Sequence, residues 1–167
     1  MKKLFVGVLC VALSLSVQGK EVNMTSPDGK YQFTLSDSGG QLHYSLTWNG
    51  KQTVKPSLLG INANVEWRDG VEIGTVDSSR KDTIWHPVYG ERSEIKDCYH
   101  AWKIVVNRQN GRDKLILDVR AYDEGIAFRY HFPGGQYLKI TDEYTEYTMP
   151  EGTKAYFTPK AQTPYSY

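Results

Sequence analysis

Apolar and polar residues alternate with a period of two along most of this chain. Tyr31, Phe33 and Leu35 alternate with Gln32 and Thr34, and Leu42, Tyr44, Leu46 and Trp48 alternate with His43, Ser45 and Thr47. The pattern returns in Leu115, Leu117, Val119 and Ala121, and again in Ile126, Phe128, Tyr130 and Phe132. A strand turns successive side chains to opposite faces, so strict alternation predicts strands buried on one face. Between the runs lie Asp28-Gly29, Gly39-Gly40, Asn49-Gly50, Asp69-Gly70, Asn110-Gly111 and Gly134-Gly135. Such pairs supply the positive φ that tight hairpins need, because the primed turns match strand twist. The spacing predicts an all-β fold, an antiparallel β-sandwich of meander or Greek-key type. Helical patterning is nearly absent; Ser57 to Asn64, just after Pro56, has room for one or two turns, weakened by Gly60.

The first residues read differently. Lys2 and Lys3 precede an apolar run from Leu4 to Val17, and Val17-Gln18-Gly19 sets small residues where a signal peptidase cuts. Residues 1–19 are expected to be a signal peptide, too short to span a bilayer comfortably, which makes the protein exported, periplasmic or extracellular. Residues 20–167 then form one domain, without internal repeat or linker. Cys10 leaves with the leader and Cys98 remains alone, so no intrachain disulfide is expected.

Composition narrows the partners. Lys+Arg 20 against Asp+Glu 19 leaves no broad basic face for nucleic acid, and 40% hydrophobic with 23% charged residues fits a folded globule. The 12 Tyr and 4 Trp favour a pleated, half-buried surface.

Few residues are placed for chemistry. Glycoside hydrolysis needs two carboxylates about 5–9.5 Å apart, yet no two acids stand two apart on one strand face. His43, His86, His100 and His131 are scattered without metal-ligand spacing, and neither a nucleophile elbow nor a phosphate loop is present. Cys98 with His100 two residues on could pair as thiol and base, but a small buried hydrophobe is the simpler reading. Asn23-Met24-Thr25 matches a glycosylation acceptor and carries no functional weight. The positive lead is aromatic. Trp85, His86, Tyr89, Tyr99 and Trp102 accompany Glu91, Arg92 and Glu94, and rings flanked by polar groups suit a sugar. Against that, Trp85 and Trp102 could instead fill the sandwich core.

Three segments are similar to a known family: Ser26-Pro27-Asp28-Gly29-Lys30, Trp85-His86-Pro87-Val88-Tyr89-Gly90-Glu91, and Arg120-Ala121-Tyr122-Asp123-Glu124-Gly125-Ile126-Ala127-Phe128-Arg129-Tyr130. They resemble the N-terminal domain of glycoside hydrolase family 97. The resemblance implies a mutarotase-like super-sandwich from an exported α-glucosidase or α-galactosidase, followed there by a catalytic (β/α)8 barrel and a C-terminal β-domain. It places the catalytic carboxylates and most calcium ligands in the barrel, with one calcium glutamate from the N-terminal domain beyond Tyr167. No catalytic or metal-binding residue is therefore assigned here, and the chain is expected to be a truncated or fragmentary member.

The implied role is a non-catalytic, carbohydrate-associated domain that packs on the barrel and helps shape a pocket for α-linked glucosides or galactosides. Candidate sugar- or barrel-facing residues are Trp85, Tyr89, Glu91 and Arg129. An exposed aromatic patch is expected to include some of Trp85, Tyr89, Tyr156, Phe157, Tyr165 and Tyr167. Two alternatives stand beside it. A stand-alone sugar-binding or aldose-epimerase-like module would need a His or acid pair converging in a concave face. An inert remnant of an interrupted gene would need nothing.

Overall fold

The computed structural model describes residues 19–134 and 137–159. The expected signal peptide, up to residue 18, and Tyr165 and Tyr167 lie outside the described residues. Among the described residues the strands run in order as β1 Glu21–Thr25, β2 Tyr31–Ser36, β3 Leu42–Trp48, β4 Lys51–Leu59, β5 Ile61–Ala63, β6 Val65–Glu66, β7 Val71–Trp85, β8 Ile95–Arg108, β9 Lys114–Tyr122, β10 Gly125–His131 and β11 Ile140–Glu143. One sheet has the order β1-β2-β3-β4, a second β10-β9-β8-β7, and a small third β11-β5-β6. Every pairing is antiparallel. The expected all-β sandwich is what the chain forms.

The alternation decides which faces meet. Phe33 and Leu35 of β2, Leu42 and Tyr44 of β3, Ile104 and Val106 of β8, and Leu115, Leu117 and Val119 of β9 share one buried cluster. On β10, Phe128 stands opposite Val119, so Ile126, Phe128 and Tyr130 turn inward onto the same cluster. Phe33 and Tyr44 stack at 5.4 Å, with Phe128 tilted over both. Removing these side chains from water is the main force holding the two sheets together. Trp102 packs against this core, as one reading of the sequence allowed; Trp85 does not.

Ser57 to Asn64 forms no helical turn. β4 runs through Leu59 and β5 takes Ile61–Ala63. Ser57, Leu58, Leu59, Gly60 and Ile61 are consecutively buried because the segment 144–148 lies along this strand. Lys55 N donates to Thr148 O at 2.8 Å, Glu146 N to Leu58 O at 2.9 Å, and Tyr144 N to Gly60 O at 2.8 Å. The Tyr44 hydroxyl also donates to Glu146 O at 2.6 Å. Burial on both faces erases the period of two, and the apolar run then mimics a helix.

The turn signals hold unevenly. Asn49 (φ 48°) and Gly50 (φ 73°) form the tight β3–β4 connection that Asn-Gly favours. Gly125, with φ 159°, also holds a positive φ that side-chain-bearing residues rarely adopt, whereas Gly111 of the Asn110-Gly111 pair does not.

Two of the segments that carry the family resemblance meet in space. Asp28 N donates to Asp123 Oδ1 at 2.9 Å, joining the β1–β2 turn to the β9–β10 turn across the sandwich. The Ser26 hydroxyl donates to Asp28 Oδ1 at 2.6 Å and accepts from Tyr31 N at 3.0 Å, while the Lys30 ammonium lies 2.8 Å from Asp28 Oδ2. The Lys30 ammonium and the Ser26 hydroxyl hold the Asp28 carboxyl well below the usual carboxylate range. These motif residues act on folding, by clipping two turns together.

Candidate functional site

The second sheet carries the candidate residues because two of its strands are long. β7 has 15 residues and β8 has 14, but β9 pairs with β8 only from His100 to Asn107. Beyond that point Lys81–Trp85 and Ile95–Tyr99 pair only with each other among the described residues. They make a two-stranded arm, joined by a tip of residues 86–94.

The arm's composition explains its shape. From Asp77 to Thr83 the sequence is Asp-Ser-Ser-Arg-Lys-Asp-Thr, polar on both faces, so no core forms beneath it. At its far end the polarity reverses. Ile84 is 59% exposed, Trp85 50%, Val88 100% and Tyr89 90%. Four large apolar side chains within six residues exceed the single exposures expected on a soluble surface. Glu91 is exposed beside them, and His86 Nδ1 donates to the Ser93 carbonyl at 3.1 Å, closing the tip on itself. Trp85, Tyr89 and Glu91 are thus brought to one end of the arm.

Arg129 is elsewhere. It lies on β10, opposite Asp118, and its Nε donates to Asp118 Oδ2 at 2.9 Å. The cross-strand row that contains it runs Asp77, Lys103, Asp118, Arg129, so it lies eight positions along β7 from Trp85. At ~3.3 Å per residue that is roughly 26 Å. One small ligand could not touch both.

A separate cluster surrounds Tyr99 on the outer face of the second sheet. Tyr99 is only 8% exposed, although no sheet covers it. The Arg120 guanidinium lies 4.6 Å from the ring centroid, the Lys81 ammonium 5.8 Å, and Tyr122 packs at 5.0 Å. Lys81 also pairs with Asp97 at 2.6 Å. Tyr99 was visible in the sequence as one of several aromatics. Its cationic cover was not, because Lys81, Tyr99 and Arg120 come from three strands and meet only through register.

The sequence-level chemical alternatives find little support in placement. Cys98 and His100 face the same side of β8, but burial and the nearby Asp82 push the Cys98 thiol upward, away from thiolate. His100 Nδ1 instead donates to Thr25 O at 2.9 Å, tying the second sheet to β1. A concave cleft of about 410 Å³ opens where β2 and β3 face β10, lined by Phe33, Tyr44, Phe128, Tyr147 and Glu143. It contains one carboxylate and no histidine among its described lining residues. This cleft therefore lacks the His or acid pair that an epimerase-like module needs. Among the described residues no three His, Cys, Asp or Glu side chains gather as a metal site. The described residues also include no helix long and apolar enough to cross a membrane.

Comparison with known proteins gives a consistent answer. The profile described as "Glycosyl-hydrolase 97 N-terminal" matches residues 24–167. A retaining alpha-galactosidase of Bacteroides thetaiotaomicron is 30% identical over 159 residues, covering 93% of this chain and 23% of its own. A glycoside hydrolase family 97 enzyme from Pseudoalteromonas sp. strain K8, solved with panose, superposes with a TM-score of 0.72 at 24% identity. It covers 78% of this chain and 20% of that one. A beta-arabinopyranosidase superposes equally well, TM-score 0.72 at 25% identity, over 78% of this chain and 21% of the other. The chain thus spans about a fifth of the length of the relatives it matches.

Proposed function

The chain belongs to the glycosyl-hydrolase 97 N-terminal family, and from that premise we propose that it is the non-catalytic β-sandwich of a family 97 α-glycosidase. In this reading it is exported after loss of its leader, and it docks on a catalytic (β/α)8 barrel through the tip of the β7–β8 arm. The observation that carries the reading is the run of exposed apolar side chains from Ile84 to Tyr89 on a two-stranded arm. An isolated two-stranded hairpin is marginal in water, and large apolar tips call for a covering surface. Trp85 and Tyr89 would supply the buried anchors of that contact, and Glu91 a polar rim. Near the sugar pocket the same rings could stack on an α-linked glucoside or galactoside. Calcium, in this reading, belongs to the barrel side of the assembly.

Two measurements test the proposal. The purified chain alone should not hydrolyse p-nitrophenyl α-glucoside or α-galactoside above blank. Activity abolished by one Asp or Glu substitution within the chain would sink it. Grafted in place of the matching segment of the Bacteroides thetaiotaomicron alpha-galactosidase, the chain should yield a soluble hybrid, and Trp85→Ala with Tyr89→Ala should dissociate or inactivate it. An equally active double variant would remove the arm from the contact.

A further inference from the structure

The outer face of the second sheet holds a cleft of about 530 Å³ at the root of the arm, lined by parts of β7, β8, β9 and β10. That volume suits one or two sugar rings. Cross-strand register explains why a cleft exists there. Ser79 stands opposite Ala101, and Ala101 opposite Arg120, so two short side chains form the floor. On one side rises the charged row Asp77, Lys103, Asp118 and Arg129, in which signs alternate and each charge has an opposite neighbour. On the other side stands Tyr99 beneath its cations.

Charge in this cleft is unbalanced in one direction. Five cations line it against two carboxylates. Lys81 is paired with Asp97, and Arg129 with Asp118. Arg120 has no carboxylate within ion-pair reach among the described residues. Its contacts are the Tyr99 ring at 4.6 Å and the Tyr122 hydroxyl at 3.4 Å, both neutral. Stacking holds the planar fork in place while leaving its donors unspent on any anion, which is how arginine is pre-positioned for a carboxylate or sulfate. Asp118 Oδ1 is buried in the wall of the same cleft without a hydrogen-bond partner, while Oδ2 receives Arg129. Oδ1 is closed to water and to a ligand alike, so the wall presents Asp118 through Oδ2, beside Arg129.

We propose that this cleft binds an acidic sugar, a saccharide unit whose carboxylate or sulfate meets Arg120 and whose hydroxyls meet Ser79 and the Oδ2 edge of Asp118. The site is distinct from the arm tip and does not depend on the docking reading. Calorimetry on the full chain with a galacturonate trisaccharide should give saturable binding. Maltotriose, of equal length but neutral, should bind at least about ten-fold more weakly, and added salt should weaken the acidic ligand's binding. Arg120→Gln should weaken it about ten-fold or more. Ala101→Trp, which fills the floor, should abolish it, with melting curves establishing that both variants fold. Lys96→Gln removes one positive charge from the arm outside the cleft and should change nothing. Equal affinity for the neutral trisaccharide, no heat with the acidic one, or an Arg120→Gln variant that binds unchanged would each overturn the proposal. Inorganic sulfate binding as tightly as the trisaccharide would overturn its saccharide half, leaving a bare anion site.

Discussion

Strand β8 passes through two environments, and the contrast between them separates the body of this molecule from its arm. Ile104 and Val106, near its end, are fully buried between β9 and the first sheet. Ile95 to Cys98, at its start, belong to the same strand and pair as regularly with β7, yet remain partly or fully exposed. Backbone hydrogen bonds are made in both places. Apart from Tyr99 at the root of the arm, only the body adds apolar burial, and burial is what makes strand pairing stable in water. The body holds the buried core, and the arm ends in exposed apolar groups.

The largest expected difference between the two regions comes from core truncation. Leu117 is wholly buried at the centre of β9, so Leu117→Ala should destabilise by about 2–5 kcal/mol through lost transfer energy and a residual cavity. Ile84→Ala, on the exposed arm, should fall within about 0.5 kcal/mol of the parent. Urea midpoints measure both. Comparable losses would mean that the arm is packed into the body.

Next in size is a turn that the body uses to set register. Gly50 holds φ 73°, where any side chain is strained, so Gly50→Ala should cost roughly 1–2 kcal/mol. Gly125, at φ 159° with open space around a Cβ, is strained for a side chain as well but lies nearer extended backbone, so Gly125→Ala should cost less than Gly50→Ala, though still about 1 kcal/mol. Reversed magnitudes would place the register-setting strain in the β9–β10 turn.

A smaller effect concerns pH. The Asp28 carboxyl is held low by Lys30 and Ser26, so the stability it contributes is complete above the ordinary carboxylate pKa and is lost as pH falls through its depressed value. Asp28→Asn should lower the Tm at neutral pH, with the gap narrowing once pH drops below about 4. Asp97→Asn on the arm removes a partner of the exposed Lys81 and should move the Tm less. An Asp28→Asn variant with an unchanged Tm at every pH would mean that the clip between the two turns is dispensable.

How far the sequence speaks follows the same division. Where one face of a strand is buried and the other wet, as in β2, β3, β9 and β10, alternation of Phe33, Leu35, Leu117 or Phe128 with polar residues announces it. Where both faces are buried, as from Ser57 to Ile61, the period vanishes and a helical turn is the natural misreading. Where both faces are wet, as from Asp77 to Thr83, the period vanishes again, and only the aromatics at the tip betray that something is there. Trp85, Tyr89 and Glu91 could be singled out because large apolar groups beside charges are unusual outside a core. That Arg129 lies far from them, and that Arg120 lies over Tyr99, depends on long-range register that no local pattern encodes.

In the proposed reading, the arm is the surface through which this sandwich docks on a catalytic barrel. Hydrogen exchange, read on the full chain alone and in the hybrid with the Bacteroides thetaiotaomicron alpha-galactosidase, tests it most directly. In the isolated chain, amides of Lys81–Trp85 and Ile95–Tyr99 should exchange at least about a hundred-fold faster than those of Leu115–Val119. In the hybrid the arm amides should slow by about ten-fold or more while the β9 amides stay unchanged. Arm amides as slow as β9 in the isolated chain, or unaltered in an active hybrid, would contradict the account.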